Sequence, residues 1–241
     1  VPAGLDGYPD PIVTPEREVV LAHVVGRIEE CAAARVVVGI DGASGAGKST
    51  FADEVAARLR QRGHVVVRST TDSFHRPRVE RMRRGPTSPV GYYLDSHDLG
   101  AIQEELLTPF ATGRTSVRIA AFDEPSDAPV EVTVDDVAER AVLVFDGLFL
   151  LRPELASRWR LVVHLTADRR RAAAWDAYLH DGLPADQTAR EHERAQRLER
   201  ARWPRYQDGW RLYVDEASPL ERAEIVVDND DLAAPRVVRS A

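Results

Sequence analysis

The apolar positions of this chain follow two rhythms, and their alternation predicts an α/β architecture. Residues 36–38, 65–68, 141–147, 161–165 and 225–228 are short runs rich in Val, Ile, Leu and Phe. Strands buried on both faces of a parallel sheet read this way. Between these runs apolar residues recur at helical spacing. Val19, Val20, Val24 and Ile28 mark a first helix, opened by Thr14-Pro15-Glu16 as cap, first-turn proline and acid. A second helix is expected from about 48 to 62, stopped by Gly63. In a third, Leu99, Ile102, Leu106 and Leu107 face inward, and Pro109 is expected to end it. Residues 115–122 and 130–134 flank a turn at 123–129 and predict a hairpin standing off the main sheet. The pattern breaks at 73–91, an arginine- and proline-rich stretch whose length predicts a loop that works on a ligand. Residues 186–213 read as charged helix.

The chemistry concentrates where the first strand meets the second helix. Gly42-Ala43-Ser44-Gly45-Ala46-Gly47-Lys48-Ser49 fits G-x-x-x-x-G-K-[ST], followed by Thr50. In that pattern glycines let the backbone approach closely, and successive N–H groups with a helix N-terminus surround a polyphosphate. Lys48 would reach the β- and γ-phosphates, and the Ser49 hydroxyl would ligate Mg²⁺. Lys48 is the chain's single lysine among 32 Lys and Arg, so lysine is kept where a rigid planar fork does not fit. Two strands then deliver carboxylates to the edge where open α/β sheets bind ligands, Asp72 after the run at 65–68 and Asp146 at the end of 141–147. Asp146 is read as a second Mg²⁺ ligand, direct or through water. Asp72 is read as the group that orients and partly deprotonates an acceptor hydroxyl.

Composition narrows the class. A net charge of −7 argues against a general nucleic-acid or acidic-membrane surface, which leaves a small molecule as the expected partner. One cysteine, Cys31, can form neither an internal disulfide nor a zinc site, and no apolar run is long enough to span a bilayer. Residues 1–13 have three prolines and no basic leader, unlike a signal peptide. A cytoplasmic protein is expected. Oligomeric state is not readable from these features.

Together, residues 39–50, Asp72-Ser73-Phe74-His75-Arg76, Phe145-Asp146-Gly147, and Arg205-Tyr206 with Val226-Val227-Asp228 resemble the uridine kinase family. That family groups with phosphoribulokinase and bacterial pantothenate kinase among the P-loop small-molecule kinases. The matching pieces cover most of residues 35–231 in the expected order. The resemblance implies a P-loop NTPase fold: a parallel five-stranded sheet ordered 2-3-1-4-5 and flanked by helices, with a small β-hairpin and a helical lid. A single domain over 1–241 is expected, with its core at 35–231, an acceptor-side loop at 73–91 and a lid at about 168–205. The resemblance also implies ATP and Mg²⁺ as cofactors, Asp72 as catalytic base and Asn229 near the adenine. Arg169 and Arg170 are the lid candidates for stabilising the transferring phosphoryl group. The sequence departs from the family pattern at His75, where the family carries tyrosine. It departs again at the hairpin turn, where Phe122 and Asp127 replace an aromatic and a histidine.

The expected acceptor pocket comprises Asp72, His75, Arg78, Tyr93, Phe122, Asp123 and Asp127, with Phe122 stacking on a base and the two hairpin acids receiving hydroxyls. The expected reaction is ATP-dependent phosphoryl transfer to a small metabolite, a nucleoside such as uridine or cytidine being the leading case. Pantothenate, a sugar or a sugar phosphate is the alternative acceptor. A regulatory nucleotide binder without kinase activity is the alternative class.

Overall fold

The computed structural model describes residues 14–31, 33–168, 178–201 and 204–241. Helix α1, Pro15–Glu29, opens as its sequence predicts, with Thr14 Oγ1 accepting the Arg17 N–H at 3.2 Å. Strand β1, Arg35–Gly42, leads into the glycine loop and helix α2, Lys48–Gln61, which ends before Gly63 at φ 87°. Then come β2, Val66–Thr70; the hairpin strands β3, Val117–Asp123, and β4, Ala128–Val134; β5, Ala141–Gly147; and β6, Leu161–Thr166. Last come β7, Ile225–Asp228, and β8, Arg236–Ser240.

The main sheet runs β2-β5-β1-β6-β7-β8. Its first five strands are mutually parallel, and with the hairpin left out of the count their order is the expected 2-3-1-4-5. The sheet does not close at β7, because residues 236–240 add a sixth, antiparallel edge strand. Only Val237 and Val238 and flanking polar residues mark this strand, too weak an apolar run to register as one.

Alternation along the inner strands feeds two separate cores. Val36, Val38 and Ile40 of β1 and Val142 and Val144 of β5 pack with α1 and α2. Val37, Leu143 and Phe145 point the other way, onto Phe74, Ile102, Leu106 and Phe110. A sheet covered on both faces leaves its strand ends for ligands, and β1, flanked by β5 and β6, marks the point where the strand order reverses.

Two stretches differ from expectation. The helix at 99–111 passes through Pro109 by widening into a π-helical segment, Ile102–Leu107, where the Thr108 N–H reaches the Gln103 carbonyl five residues back. A proline has no N–H and its ring crowds the carbonyl one turn earlier, so a wider turn lets the helix continue until Gly113. The arginine-rich stretch is not a structureless loop. It holds a 3₁₀ turn, Thr71–Phe74, and two short helices, Arg78–Arg81 and Pro89–Asp95. Pro89 opens the second at its first turn, where Ser88 Oγ accepts the Gly91 N–H at 3.0 Å.

Candidate active site

The glycine loop takes the backbone its composition permits. Gly45 and Gly47 lie at φ 80° and 84°, and Gly47 is the left-handed residue from which α2 starts. A Cβ on Gly42 would sit 2.8 Å from the Leu165 carbonyl, so this turn admits only glycine against β6. Ala43 and Ala46 are buried, whereas Ser44 is exposed and Gly45, Gly47, Lys48, Ser49 and Thr50 are partly so. Lys48 Nζ donates to the Ala43 carbonyl at 3.0 Å, folded back over its own loop.

The strand-end carboxylate of Asp146 lies beside the start of α2. Ser49 Oγ donates to Asp146 Oδ2 at 2.8 Å, and Asp146 is almost wholly enclosed. Its other oxygen accepts from Arg68 at 2.8 Å, while Arg68 also donates to Asp53 at 2.9 Å and to the Val144 carbonyl at 2.7 Å. Arg68 thus sets the carboxylate's orientation. Its only signal in the sequence is a charge inside an apolar strand, which invites the reading of a strand end. A hydroxyl and a carboxylate oxygen facing each other beside a polyphosphate loop form a hard donor pair, and that pair fits Mg²⁺.

Asp72 sits on the 3₁₀ turn that follows β2, and Gly147 makes that placement possible. A Cβ there would lie 2.3 Å from Thr71 Oγ1, so only glycine lets the turn pack onto β5; Thr71 Oγ1 then accepts the Leu148 N–H at 3.2 Å. The Asp72 side chain is 69% exposed, with His97 Nε2 3.9 Å from its Oδ1. Protein packed on its other side removes water and pushes the carboxyl upward. The His97 imidazole, then the charges of His75 and Lys48, outweigh that and hold its pKa at about 2. Burial pulls His97 down to about 4 against the pull of Asp72, so at neutral pH the pair is an ionised carboxylate beside a neutral ring.

His97 is a site residue that the sequence did not reveal. It meets His75 through an antiparallel bridge, locked by Arg76 N–H to the Ser96 carbonyl at 3.0 Å and Asp98 N–H to the Phe74 carbonyl at 2.8 Å. The rings lie 4.5 Å apart. Nothing in Ser96-His97-Asp98 announces a partner twenty-two residues upstream.

Other expected pocket residues are placed differently. Tyr93 is buried, hydrogen-bonded to Glu216 and packed on Phe149, with its hydroxyl pKa raised first by burial. It belongs to the core because the Pro89–Asp95 helix turns its inner face toward the Pro204–Ala217 helix. Phe122 is also enclosed, at 7% exposure, so its face is not offered to a base. Asp123 closes its own hairpin turn, accepting the Ser126 N–H at 3.1 Å and the Ser126 hydroxyl. Asp127 accepts the Arg78 N–H at 2.8 Å, and Arg81 reaches Glu124 at 2.9 Å beside it. The hairpin tip and the arginine stretch are therefore clamped together, and both acids are committed to that structure. Arg78 keeps an exposed side chain, and His75 remains partly exposed.

Asn229, expected near the adenine, has no exposure at all. It donates to the Ala46 carbonyl at 2.8 Å and accepts from Arg17 at 3.3 Å, and Arg17 forms a buried pair with Glu54 at 2.5 Å. This brace holds the glycine loop from below. Arg169 and Arg170 lie outside the described residues. Of the expected lid, the described Gln187–Ala201 helix is largely exposed, with Arg197 tied to the Tyr178 and Asp181 carbonyls at 2.6 and 2.8 Å.

No family model matches the sequence. A solved structure of a possible uridine kinase from Bacillus stearothermophilus superposes with a TM-score of 0.66 at 21% identity, covering 87% of this chain and 97% of that one. The chain has the fold of that structure. The structure of a proposed fructose transport system kinase from Silicibacter sp. TM1040 shares the fold with a TM-score of 0.58 at 23% identity, covering 80% of this chain and 94% of that one. In sequence, a uridine kinase from Ureaplasma urealyticum serovar 10 is 24% identical over 123 residues, 51% of this chain. The match spans 58% of that relative's length, little more than half. Among the described residues no helix is long and apolar enough to cross a membrane.

Proposed function

We propose that this chain is an ATP-dependent kinase that phosphorylates a hydroxyl of a small metabolite. One observation carries the reading: a polyphosphate loop with Lys48, a Ser49–Asp146 pair at 2.8 Å and an ionised, exposed Asp72 all converge at the carboxyl edge of one sheet. In-line transfer needs little covalent chemistry from the protein, so positioning and charge do the work. Loop amides and Lys48 hold the phosphates. Ser49 and Asp146 would hold Mg²⁺, which when bound neutralises charge on the phosphate oxygens. Asp72 accepts the hydrogen bond of the acceptor hydroxyl and orients its lone pair toward the γ-phosphorus. The proton lost on attack passes to Asp72 or onward to solvent, and a pKa near 2 suits orientation better than early proton abstraction.

The acceptor must extend from Asp72 toward His75 and Arg78. Because Phe122 and Tyr93 are enclosed, base stacking loses its support, and a sugar-like polyol stands ahead of a pyrimidine nucleoside. The names of the structural relatives point to both chemistries. The experiment is ADP release from ATP and Mg²⁺ with a panel of uridine, cytidine, fructose and other simple sugars, pantothenate and ribulose 5-phosphate, with Lys48→Ala as the blank. Acceptor-dependent ADP release that disappears in Lys48→Ala supports the kinase. Tight nucleotide binding with no release across the panel favours the regulatory alternative.

A further inference from the structure

We propose that Asp72, His75 and His97 form a site for a transition-metal dication of the Zn²⁺ class, distinct from the all-oxygen Ser49–Asp146 position. One ligand atom from each of the three lies within 4.8 Å of the others. Three features argue that the cluster is built to take an ion.

The first is an orphan. His97 is 5% exposed, and its Nε2 has no hydrogen-bond partner. A buried ring nitrogen left unpaired carries a desolvation penalty that some ligand should relieve. Asp72 Oδ1, at 3.9 Å, is too far to relieve it by hydrogen bonding. That separation does fall inside the roughly 4.2 Å that two atoms span when each is about 2.1 Å from one ion.

The second feature is the tautomer of His75. Its Nδ1 lies 3.0 Å from the Asp72 backbone carbonyl, which can only accept, so Nδ1 carries the hydrogen and Nε2 carries the lone pair. Metal-binding histidines are oriented by just such a hydrogen bond from the other ring nitrogen. The third is rigidity: the His75–His97 bridge fixes both backbones opposite one another, so side-chain rotation alone brings the ligands together. Two imidazoles and a carboxylate select Zn²⁺, Co²⁺ or Ni²⁺ over Mg²⁺, which prefers oxygen and keeps its waters. With Asp72 largely exposed, an ion could enter, and its remaining positions would stay open to water.

Binding stands apart from the kinase reading; only its consequence rests on it. An ion held through the Asp72 carboxylate takes the lone pair that would orient the acceptor, so Zn²⁺ would inhibit turnover and a chelator would restore it.

The test is titration of the full chain with Co²⁺, followed by its visible d–d absorption and by calorimetry, with folding checked by circular dichroism. One Co²⁺ per chain is expected, displaced by Zn²⁺ and not by excess Mg²⁺. Affinity should fall about a hundredfold or more in His75→Ala and in Asp72→Asn, both at partly or well exposed positions where folding should survive. Absence of stoichiometric binding overturns the proposal. So does binding retained in both variants, or displacement by Mg²⁺ as readily as by Zn²⁺. If Co²⁺ binds as expected and no acceptor is ever phosphorylated, the metal site stands and the kinase reading fails.

Discussion

Two aspartate–histidine groups lie near the carboxyl ends of the same sheet, and they differ in how completely their polar atoms are satisfied. Asp41, at the end of β1, has no exposure; its Oδ2 accepts from His164 Nδ1 at 2.8 Å and from the Tyr213 hydroxyl at 2.7 Å. Its Oδ1 faces the Leu150 N–H at 3.3 Å, and the Tyr213 oxygen accepts the Leu151 N–H at 3.1 Å. Both oxygens of the Asp41 carboxylate are thus engaged inside the protein. At Asp72 the carboxylate is 69% exposed and His97 Nε2 is buried and unpaired. The same residue types thus serve as a brace in one place and an open site in the other. A cost left standing in a folded protein marks where an external group is expected, whereas a satisfied network marks architecture.

Exchanging roles would break this contrast. Asp72→Asn should lower kcat by about 10² to 10⁴ while Mg·ATP affinity stays within a few fold and Tm falls far less than in Asp41→Ala, because solvent screens most of what an exposed carboxylate contributes to the fold. Loss of ATP affinity instead would place Asp72 in nucleotide binding. Asp41→Ala should do the reverse. It strands the His164 nitrogen, the Tyr213 hydroxyl and the Leu150 N–H inside the protein, and stability should fall by about 3 kcal/mol or more in urea unfolding, with kcat per folded molecule falling less than in Asp72→Asn. Equal stability losses in the two variants would erase the distinction.

Acid should weaken the open site. The folded His97 pKa of about 4 lies below its ordinary value of 6.5, so between these values the unfolded chain binds a proton that the folded chain does not. Stability therefore rises with pH across that window and falls on acidification through it, by about 3 kcal/mol, levelling off below pH 4. The Asp72 carboxyl, held at about 2, has the same sign lower down: its contribution is present above its ordinary 3.8 and is lost as pH falls toward 2. In metal-free protein, His97→Gln should flatten the slope between pH 4 and 6.5. A slope unchanged in that variant would assign it elsewhere.

The legible part of the molecule is what local spacing encodes. Glycines at fixed offsets, an adjoining lysine and strand-ending acids are one-dimensional signals, and the loop and the place of Asp146 followed from them, whereas the strand order was implied by the family resemblance. What escaped was decided by contacts between distant segments. Tyr93 and Phe122 read as pocket walls because an aromatic beside a loop carries no mark of which way it faces; packing against the Pro204–Ala217 helix turned Tyr93 inward. Asn229 sits in a strand-edge loop, where ligand contact and support from below look alike until Ala46 and Arg17 are seen on its two ends. His97 gave no signal because its meaning lies in a bridge to His75. Pro109 looked like a terminator, since the π-helical turn that carries the chain past it has no sequence rule.

The smallest effect probes the closed network one hydrogen bond at a time. Tyr213→Phe removes only the hydroxyl, in a site where the ring packs on Phe149 and Trp210 and is fully enclosed. The apolar contacts therefore persist, and the change isolates the bonds from Tyr213 to Asp41 and from the Leu151 N–H. Burial, then the neighbouring Asp41 charge, push the Tyr213 pKa far upward, so the hydroxyl stays protonated and donates at any usable pH. A donor to a charged acceptor in a buried site contributes more than an average hydrogen bond, about 1.5 to 3 kcal/mol. His164 and the Leu150 N–H still serve the carboxylate in the variant, which keeps the expected loss near the lower figure. Urea unfolding should show that loss with an unchanged m-value. A loss below about 0.5 kcal/mol would mean that water replaces the hydroxyl and that the network is less closed than the Asp41 geometry implies.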